Sequence, residues 1–437
     1  MDETRVRVHR TAQRAYPHVM DSIDIAIAGC GPAGIAAALL LHADGHRVTI
    51  FDRFETPRPL GSGLMIQPSG MAVLARLGLA EDVARRGARI DALKGIQQDG
   101  RVALDAPYSK FGAKEVFGLG IHRASLFECL YQAALAVGIS IETGNEITNS
   151  EAEGQKRRLI FANGSHSDLF DLVVDAMGWR SPLTGEDPPL LPYGALWGTI
   201  PLHSDDPFAG NLLEQRYRHT DQMVGVLPIG RRSTEGPEEA AFFWSLRGDQ
   251  YAPWRDAGLD AWKQQVAALW PEAQSVLDRI DSPDQLTFAR YAHRTAPSFS
   301  ETALVHIGDA WHSASPQLGQ GANMALLDAW ALAYGLRNAR TIPDGLRLAH
   351  SLRGDHVWLY QLITALFTPL YQSDKRWHAA VRDHIVAPLS RVDPIARIQA
   401  NLMSGLFGFP LQPLGLELPD YSAVASSMAA IASSESQ

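Results

Sequence analysis

Apolar and polar positions first fall into a strand, helix, strand order. Residues 23–28 (IDIAIA) form a short apolar run that stops at Gly29. The following GPAGIAAALLLHADG has the Ala and Leu content of a helix, and HRVTIFDR is a second β-branched run that carries Asp52 near its end. Such a unit of about thirty residues reads as βαβ with a right-handed crossover. Later the period changes. LLEQRYRH, DQMVGVLPIG and AAFFWSLRG alternate with period 2, as strands of an antiparallel sheet do, and LDAWKQQVAALW (259–270) predicts a helix packed on that sheet. Between those strands RRSTEGPEEA is polar with Gly and Pro and reads as an exposed loop. ALVHIG (303–308) is a further short strand, and Gly319-Gln320-Gly321 opens a long apolar helix. HVWLYQLITALFTPLYQ (356–372) has helical spacing, and its apolar face belongs either to the core or to a dimer contact.

Composition narrows the class. At 437 residues, with 46% hydrophobic and 20% charged positions, the chain fits a globular protein of two or three domains. A formal charge of −9 argues against binding nucleic acid, whose affinity comes from cations on phosphates. Two cysteines, Cys30 and Cys129, make neither a disulfide framework nor a zinc site. The sequence shows no metal-ligand cluster and no nucleophile elbow. It also has neither a long apolar run nor a signal-peptide core, so no membrane span and a cytoplasmic location are expected. Residues 1–20, with Arg5, Arg7, Arg10 and Arg14, and the tail SSMAAIASSESQ are expected to be poorly ordered.

Gly29-Cys30-Gly31-Pro32-Ala33-Gly34 matches GxGxxG at the strand-to-helix turn. Gly29 permits the tight turn, Gly31 lets a pyrophosphate approach the backbone, and Gly34 lets helix and strand pack closely. Pro32 suits the first helical turn, whose amides face the phosphates. Asp52, at the end of the second strand, is placed to accept from ribose hydroxyls. Cys30 is either a small filler of the turn or a redox thiol.

The block from 308, with Gly308, Asp309, Ala310, His312, Pro316, Gly319, Gln320, Gly321 and Asn323, matches GDAxHxxxPxxGQGxN. With the first fingerprint, the chain resembles the FAD-dependent aromatic hydroxylases, the single-component flavoprotein monooxygenases of the p-hydroxybenzoate hydroxylase fold. The resemblance covers most of residues 21–350. It implies an α/β fold: a Rossmann-type FAD-binding domain (21–90, 116–190, 287–345), an inserted antiparallel-sheet substrate domain of α+β type (91–115, 191–286), and C-terminal helices with a flexible tail (346–437). It further implies that Asp309 holds the ribityl chain and that the amides of Gly319–Gly321 face the flavin pyrimidine edge. Gln320 and Asn323 are included in the cofactor set. Arg123, at the start of an amphipathic helix, is either the phosphate arginine or a surface residue; Arg53 and Arg58 are weaker candidates for the adenosine and phosphate region. His312 invites a catalytic reading, but in the family it belongs to the loop scaffold.

The implied reaction is NAD(P)H-dependent hydroxylation, or epoxidation, of an aromatic or electron-rich small molecule with O2 through a flavin C4a-hydroperoxide. No catalytic side chain is required of the protein. Arg216, Tyr217, Met223, Val224 and Trp244, on the roofing strands, are pocket candidates together with His312 and Pro316; alternation lets about half of the strand residues face the flavin. One family block departs. In DLVVDAMGWRS, Met177 stands where relatives carry an acid that engages FAD and the nicotinamide. Either NAD(P)H then reduces the flavin poorly without substrate or a separate reductase, or Asp175 or Arg180 assumes the contact. Alternatives on the same fold are a reductase or dehydrogenase, a halogenase, and a non-catalytic carrier; the halogenase motif is met only out of register at Leu196–Pro201. Monomer and homodimer both remain open.

Overall fold

The computed structural model describes residues 20–56, 61–112, 115–185, 187–233, 236–296 and 298–434. Residues 1–19 and Arg58 lie outside this set.

The expected βαβ unit forms as strand Asp24–Ala28, helix Pro32–Ala43 and strand Arg47–Phe51. Asp24–Ala28 sits inside a six-stranded sheet, flanked in parallel by Leu172–Asp175 and Arg47–Phe51, with Leu304–His306 and Ser140–Glu142 beyond them. Both faces are covered, which explains the unbroken apolar run: Ile25, Ala26, Ile27 and Ala28 are fully buried. On one face, helix Pro32–Ala43 packs against helix Gly321–Arg337. On the other, Phe51, Leu159, Phe161 and Val173 form a small core under the hairpin of Ile147–Glu153 and Lys156–Phe161.

A seven-stranded sheet roofs this unit in the order Thr287–Ala292, Leu190–Pro201, Glu239–Arg247, Gln222–Gly230, Leu212–Arg218, Ala92–Gln97 and Val102–Pro107. It is antiparallel except where Leu212–Arg218 runs parallel to Ala92–Gln97. Thr287–Ala292 pairs with Leu190–Pro201, so the roof extends past the boundary expected at 286. The outer face is covered as anticipated: helix Leu259–Leu269 contributes Trp262 and Val266 to a core with Val224, Phe242 and Trp244. The inner face is tied to the first unit by strands Gly63–Ile66 and Gly118–His122. Their approach is close enough that a Cβ on Gly120 would lie 2.1 Å from the Pro228 carbonyl oxygen.

Helix Ile342–Tyr371, begun by a Thr341 side chain that accepts from the Asp344 amide at 3.3 Å, lies along Gly321–Arg337. A Cβ on Gly335 would be 2.4 Å from the Gly345 carbonyl oxygen, so glycine sets this helix separation. Within the expected flexible tail, Tyr421–Ser434 is helical; the Tyr421 ring packs edge-on against Phe117 at 4.8 Å and Val424 is buried, while residues 435–437 lie outside the described residues. No helix among the described residues is long and apolar enough to cross a membrane.

Candidate active site

The two units enclose one continuous cavity of about 1270 Å3. Its size exceeds the roughly 300–1,000 Å3 typical of a site for one small molecule. The glycine turn, Asp52, Arg123, Asp309 and the 316–322 loop line one end, and the roof sheet and C-terminal helices line the other.

Each fingerprint glycine has its own reason. Gly29 has φ +104°, and a Cβ there would lie 2.7 Å from the Ala176 carbonyl oxygen. A Cβ on Gly34 would lie 2.0 Å from the Gly29 carbonyl oxygen. Around a Cβ on Gly31 there is open space to 4 Å, and Gly31 lines the cavity, as close approach by a ligand requires. Pro32 and Ala33 follow on the same wall. Asp52 Oδ2 accepts from the Cys30 amide at 2.6 Å, which fixes the carboxylate against the turn. Burial and the neighbouring Asp52 charge push the Cys30 thiol up to about 12, which makes it a filler and not a thiolate.

Asp309 is exposed, and the surface it exposes lines the cavity. Burial raises its carboxyl above the usual range, an effect that His312 and Arg123 oppose. Gly319 and Gly321 line the wall beside Gln67, whose buried Nε2 has no partner. That orphan donor, the open side of Gly31 and the cavity-facing Asp309 are the features an FAD would occupy. Arg53 and Arg123 are exposed on this wall. Asn323 is instead spent inside the scaffold: Oδ1 accepts from Gln67 N at 2.8 Å, and Nδ2 donates to the Met65 and Gly319 carbonyls at 3.1 and 3.0 Å. Gln320 reaches the wall but donates to the Met403 carbonyl at 2.7 Å.

His312 also lines the cavity, but its Nε2 lies 2.6 Å from Asp328 Oδ2. Asp328 further accepts from the Gly308 amide at 3.0 Å and from Arg353 Nε at 2.8 Å. Burial alone would raise the Asp328 carboxyl; His312 and Arg353 bring it below its ordinary value. The geometry gives His312 the scaffold role. Sequence reasoning missed Asp328 and Arg353, whose only signal is a charged residue on the apolar face of each helix.

Asp175 is unavailable to replace the acid missing at Met177. It is fully buried and takes Ser181 Oγ at 2.6 Å, His306 Nδ1 at 2.8 Å and the Met177 amide at 3.1 Å. Arg180, on the cavity wall with Met177, is the remaining group.

On the roof, Tyr217 and Met223 face the cavity, and Pro316 lines it from below. Arg216, Val224 and Trp244 do not: they take the opposite side of the pleat. Arg216 stacks on Trp270 at 4.5 Å, while Val224 and Trp244 sit in the outer core. The inward positions the sequence did not single out are Trp197, Leu213, Gln215, Phe243 and Tyr291. Trp197 Nε1 donates to Tyr291 Oη at 2.7 Å. Among the described residues no group of His, Cys, Asp and Glu could hold a metal ion.

Comparisons with known proteins agree with this geometry. Residues 22–341 match the family model for the FAD binding domain. The chain is 28% identical over 354 residues to 3-amino-4-hydroxybenzoate 2-monooxygenase of Streptomyces cremeus, covering 76% of this chain and 83% of the relative. It is 27% identical over 398 residues to 6-methylpretetramide 4-monooxygenase of Streptomyces rimosus, covering 87% and 92%. The tetrameric form of 2-methyl-3-hydroxypyridine-5-carboxylic acid oxygenase shares its fold, with a TM-score of 0.73 at 18% identity over 91% of this chain and 99% of that one. The chain belongs to the FAD binding domain family and is an FAD-dependent aromatic monooxygenase.

Proposed function

We propose, with that membership as premise, that the cavity holds FAD at its charged end and an aromatic substrate under the roof sheet. Gly29, Gly31, Pro32, Ala33, Asp52, Arg53 and Arg123 serve the pyrophosphate and adenosine. Asp309 serves the ribityl chain, and Gln67 with the Gly319–Gly321 backbone serves the ring system. When bound, FAD supplies the activation of O2; the protein orients the substrate and keeps water out. The carrying observation is the single cavity that runs from the open side of Gly31 to Tyr217 and Phe243. The named substrates of relatives, an aminohydroxybenzoate and a pretetramide, support an aromatic target. The reading divides the chain into an FAD-binding part and a roof domain, and places it in the cytoplasm, where NAD(P)H is supplied. Direct reduction by NAD(P)H, with Arg180 near Met177, is preferred to a separate reductase.

Purified protein incubated with NAD(P)H, candidate phenols and heavy-isotope dioxygen tests this. One labelled oxygen atom per product is expected. Product formed at full rate without oxygen moves the chain to the reductase alternative.

A further inference from the structure

The wall under the roof sheet differs in kind from the wall around the nucleotide. Its side chains are Leu213, Leu227, Trp197 and Phe243 from the sheet, facing Leu402 and Met403 from the C-terminal helices. Among the described residues, every charged side chain on the cavity wall belongs to the nucleotide end: Asp52 and Arg53, Arg123, Glu146, Arg180, and Asp309 with His312.

The guanidinium behind the substrate end is not free to serve. Arg382 is fully buried beneath the rings of Tyr217 and Tyr371, 5.0 and 5.6 Å from their centroids. Its donors go to Asp383 Oδ1 at 2.8 Å, the Leu370 carbonyl at 3.1 Å and the His219 carbonyl at 2.8 Å. The far end of the cavity is apolar too. Leu389, Ile395 and Ile398 both line it and are exposed, next to Ile385 and Val392, which are exposed without lining it.

Polar groups remain at this end: hydroxyls such as those of Tyr217, Tyr291 and Thr364, and the side-chain amides of Gln215, Gln361, Gln372 and Gln399. Gln361 and Gln372 are 9% and 7% exposed, line the cavity, and have no partner for their Oε1 atoms. The orientation of Gln361 is fixed, because its Nε2 donates to the Ser313 carbonyl at 3.0 Å; Gln372 Nε2 faces the Gly194 carbonyl at 3.4 Å. Gln399 presents a third unpartnered Oε1 on the same wall. Buried carbonyl oxygens left without donors disfavour an apolar filling and favour a ligand that brings O–H or N–H groups. A carboxylate here would lose its water and meet acceptors with no counter-charge.

We infer that this compartment selects an uncharged, extended aromatic substrate bearing hydroxyl or amide donors, and rejects aromatic carboxylates. The inference rests on the monooxygenase reading and narrows it to one substrate chemistry. Gln361, Gln372 and Gln399 determine that specificity.

The test uses FAD-loaded full-length protein at pH 8 and pairs of hydroxyarene carboxylic acids and their primary amides with one to four fused rings, including 3-hydroxy-2-naphthoic acid and 3-hydroxy-2-naphthamide. Binding is read from perturbation of the flavin absorbance. At least one amide should bind at least about 100-fold more tightly than its acid, because the acid buries an unpaired charge. Gln372→Arg should reduce that ratio at least tenfold by supplying the missing cation, and Gln399→Arg provides the same readout at a less buried position. An acid binding as tightly as its amide, or no binding by any amide, overturns the inference. Loaded protein that binds the amides yet consumes no oxygen with them overturns the monooxygenase reading alone. Oxygen-dependent hydroxylation that prefers the acids overturns only the substrate inference.

Discussion

The nucleotide end and the roof end of the cavity are built on opposite plans. Below, backbone dominates: glycine turns, helix-start amides and a few fixed charges, held by the buried His312–Asp328–Arg353 network. Above, side chains dominate: aromatic and aliphatic walls with isolated glutamine amides. A phosphate-bearing cofactor of fixed shape can be met by backbone, whose geometry a few glycines specify. A substrate that varies among relatives must be met by side chains, which change without changing the fold.

The sharpest way to break the comparison is at Gly31. Because a Cβ there meets no protein atom within 4 Å, Gly31→Val should fold yet obstruct the pyrophosphate. Bound FAD should fall at least about tenfold with unchanged circular dichroism. Gly34→Val is the control, since its Cβ would fall 2.0 Å from the Gly29 carbonyl oxygen and must disturb the fold itself. A yellow, stoichiometric Gly31→Val protein would remove the backbone plan from the nucleotide end.

Asp328→Asn tests the network that carries the third fingerprint. Asp328 and Arg353 are each only 1% exposed, so the variant leaves a buried guanidinium uncompensated. A loss of about 3–5 kcal/mol is expected, read as a lowered thermal midpoint of the holoprotein. An unchanged midpoint would mean that His312 is held by something other than this carboxylate.

Legibility in the sequence follows the same division. GxGxxG and the 308–323 block are contiguous and fix residue types, so Gly29, Gly31, Asp309 and Gly319 could be read off directly. The roof wall is assembled from alternate positions on distant strands and from helices beyond 356. Alternation says that half face inward but not which half, and so Arg216, Val224 and Trp244 are candidates of the wrong phase, whereas Trp197 and Phe243 carry no sequence signal of their own. Asp328 and Arg353 were illegible for another reason: their pairing spans 25 residues and two helices, and only packing joins them. The roof plan predicts a modest, local effect for Trp197→Phe. It removes the 2.7 Å bond to Tyr291, worth about 1 kcal/mol. KM should rise about fivefold with FAD content unchanged. Loss of FAD in this variant would blur the two regions.

A further effect separates the regions by pH. Burial, then the Arg353 charge, holds His356 well below its ordinary value. Its Nδ1 accepts from Arg353 at 2.5 Å and its Nε2 has no partner, so the folded protein favours the neutral ring. The unfolded chain takes up a proton near pH 6.5. Stability from this group is therefore complete above that value and declines as pH falls toward the depressed folded value, at about 1.4 kcal/mol per pH unit. His356→Asn keeps an acceptor near the Nδ1 position and removes the titration. Between pH 7.5 and 5.5 the wild type should lose about 1.4 kcal/mol more than the variant, measured as the difference between their unfolding midpoints at each pH. His122, which burial holds at about 4, contributes the same slope to both proteins and cancels in the difference. Because the Arg353 network supports the third fingerprint and not the roof wall, acid should shed FAD from the wild type before the variant. If the two proteins lose stability and flavin in parallel, His356 is charged in the native state, and the network below the cavity is more open to water than its burial implies.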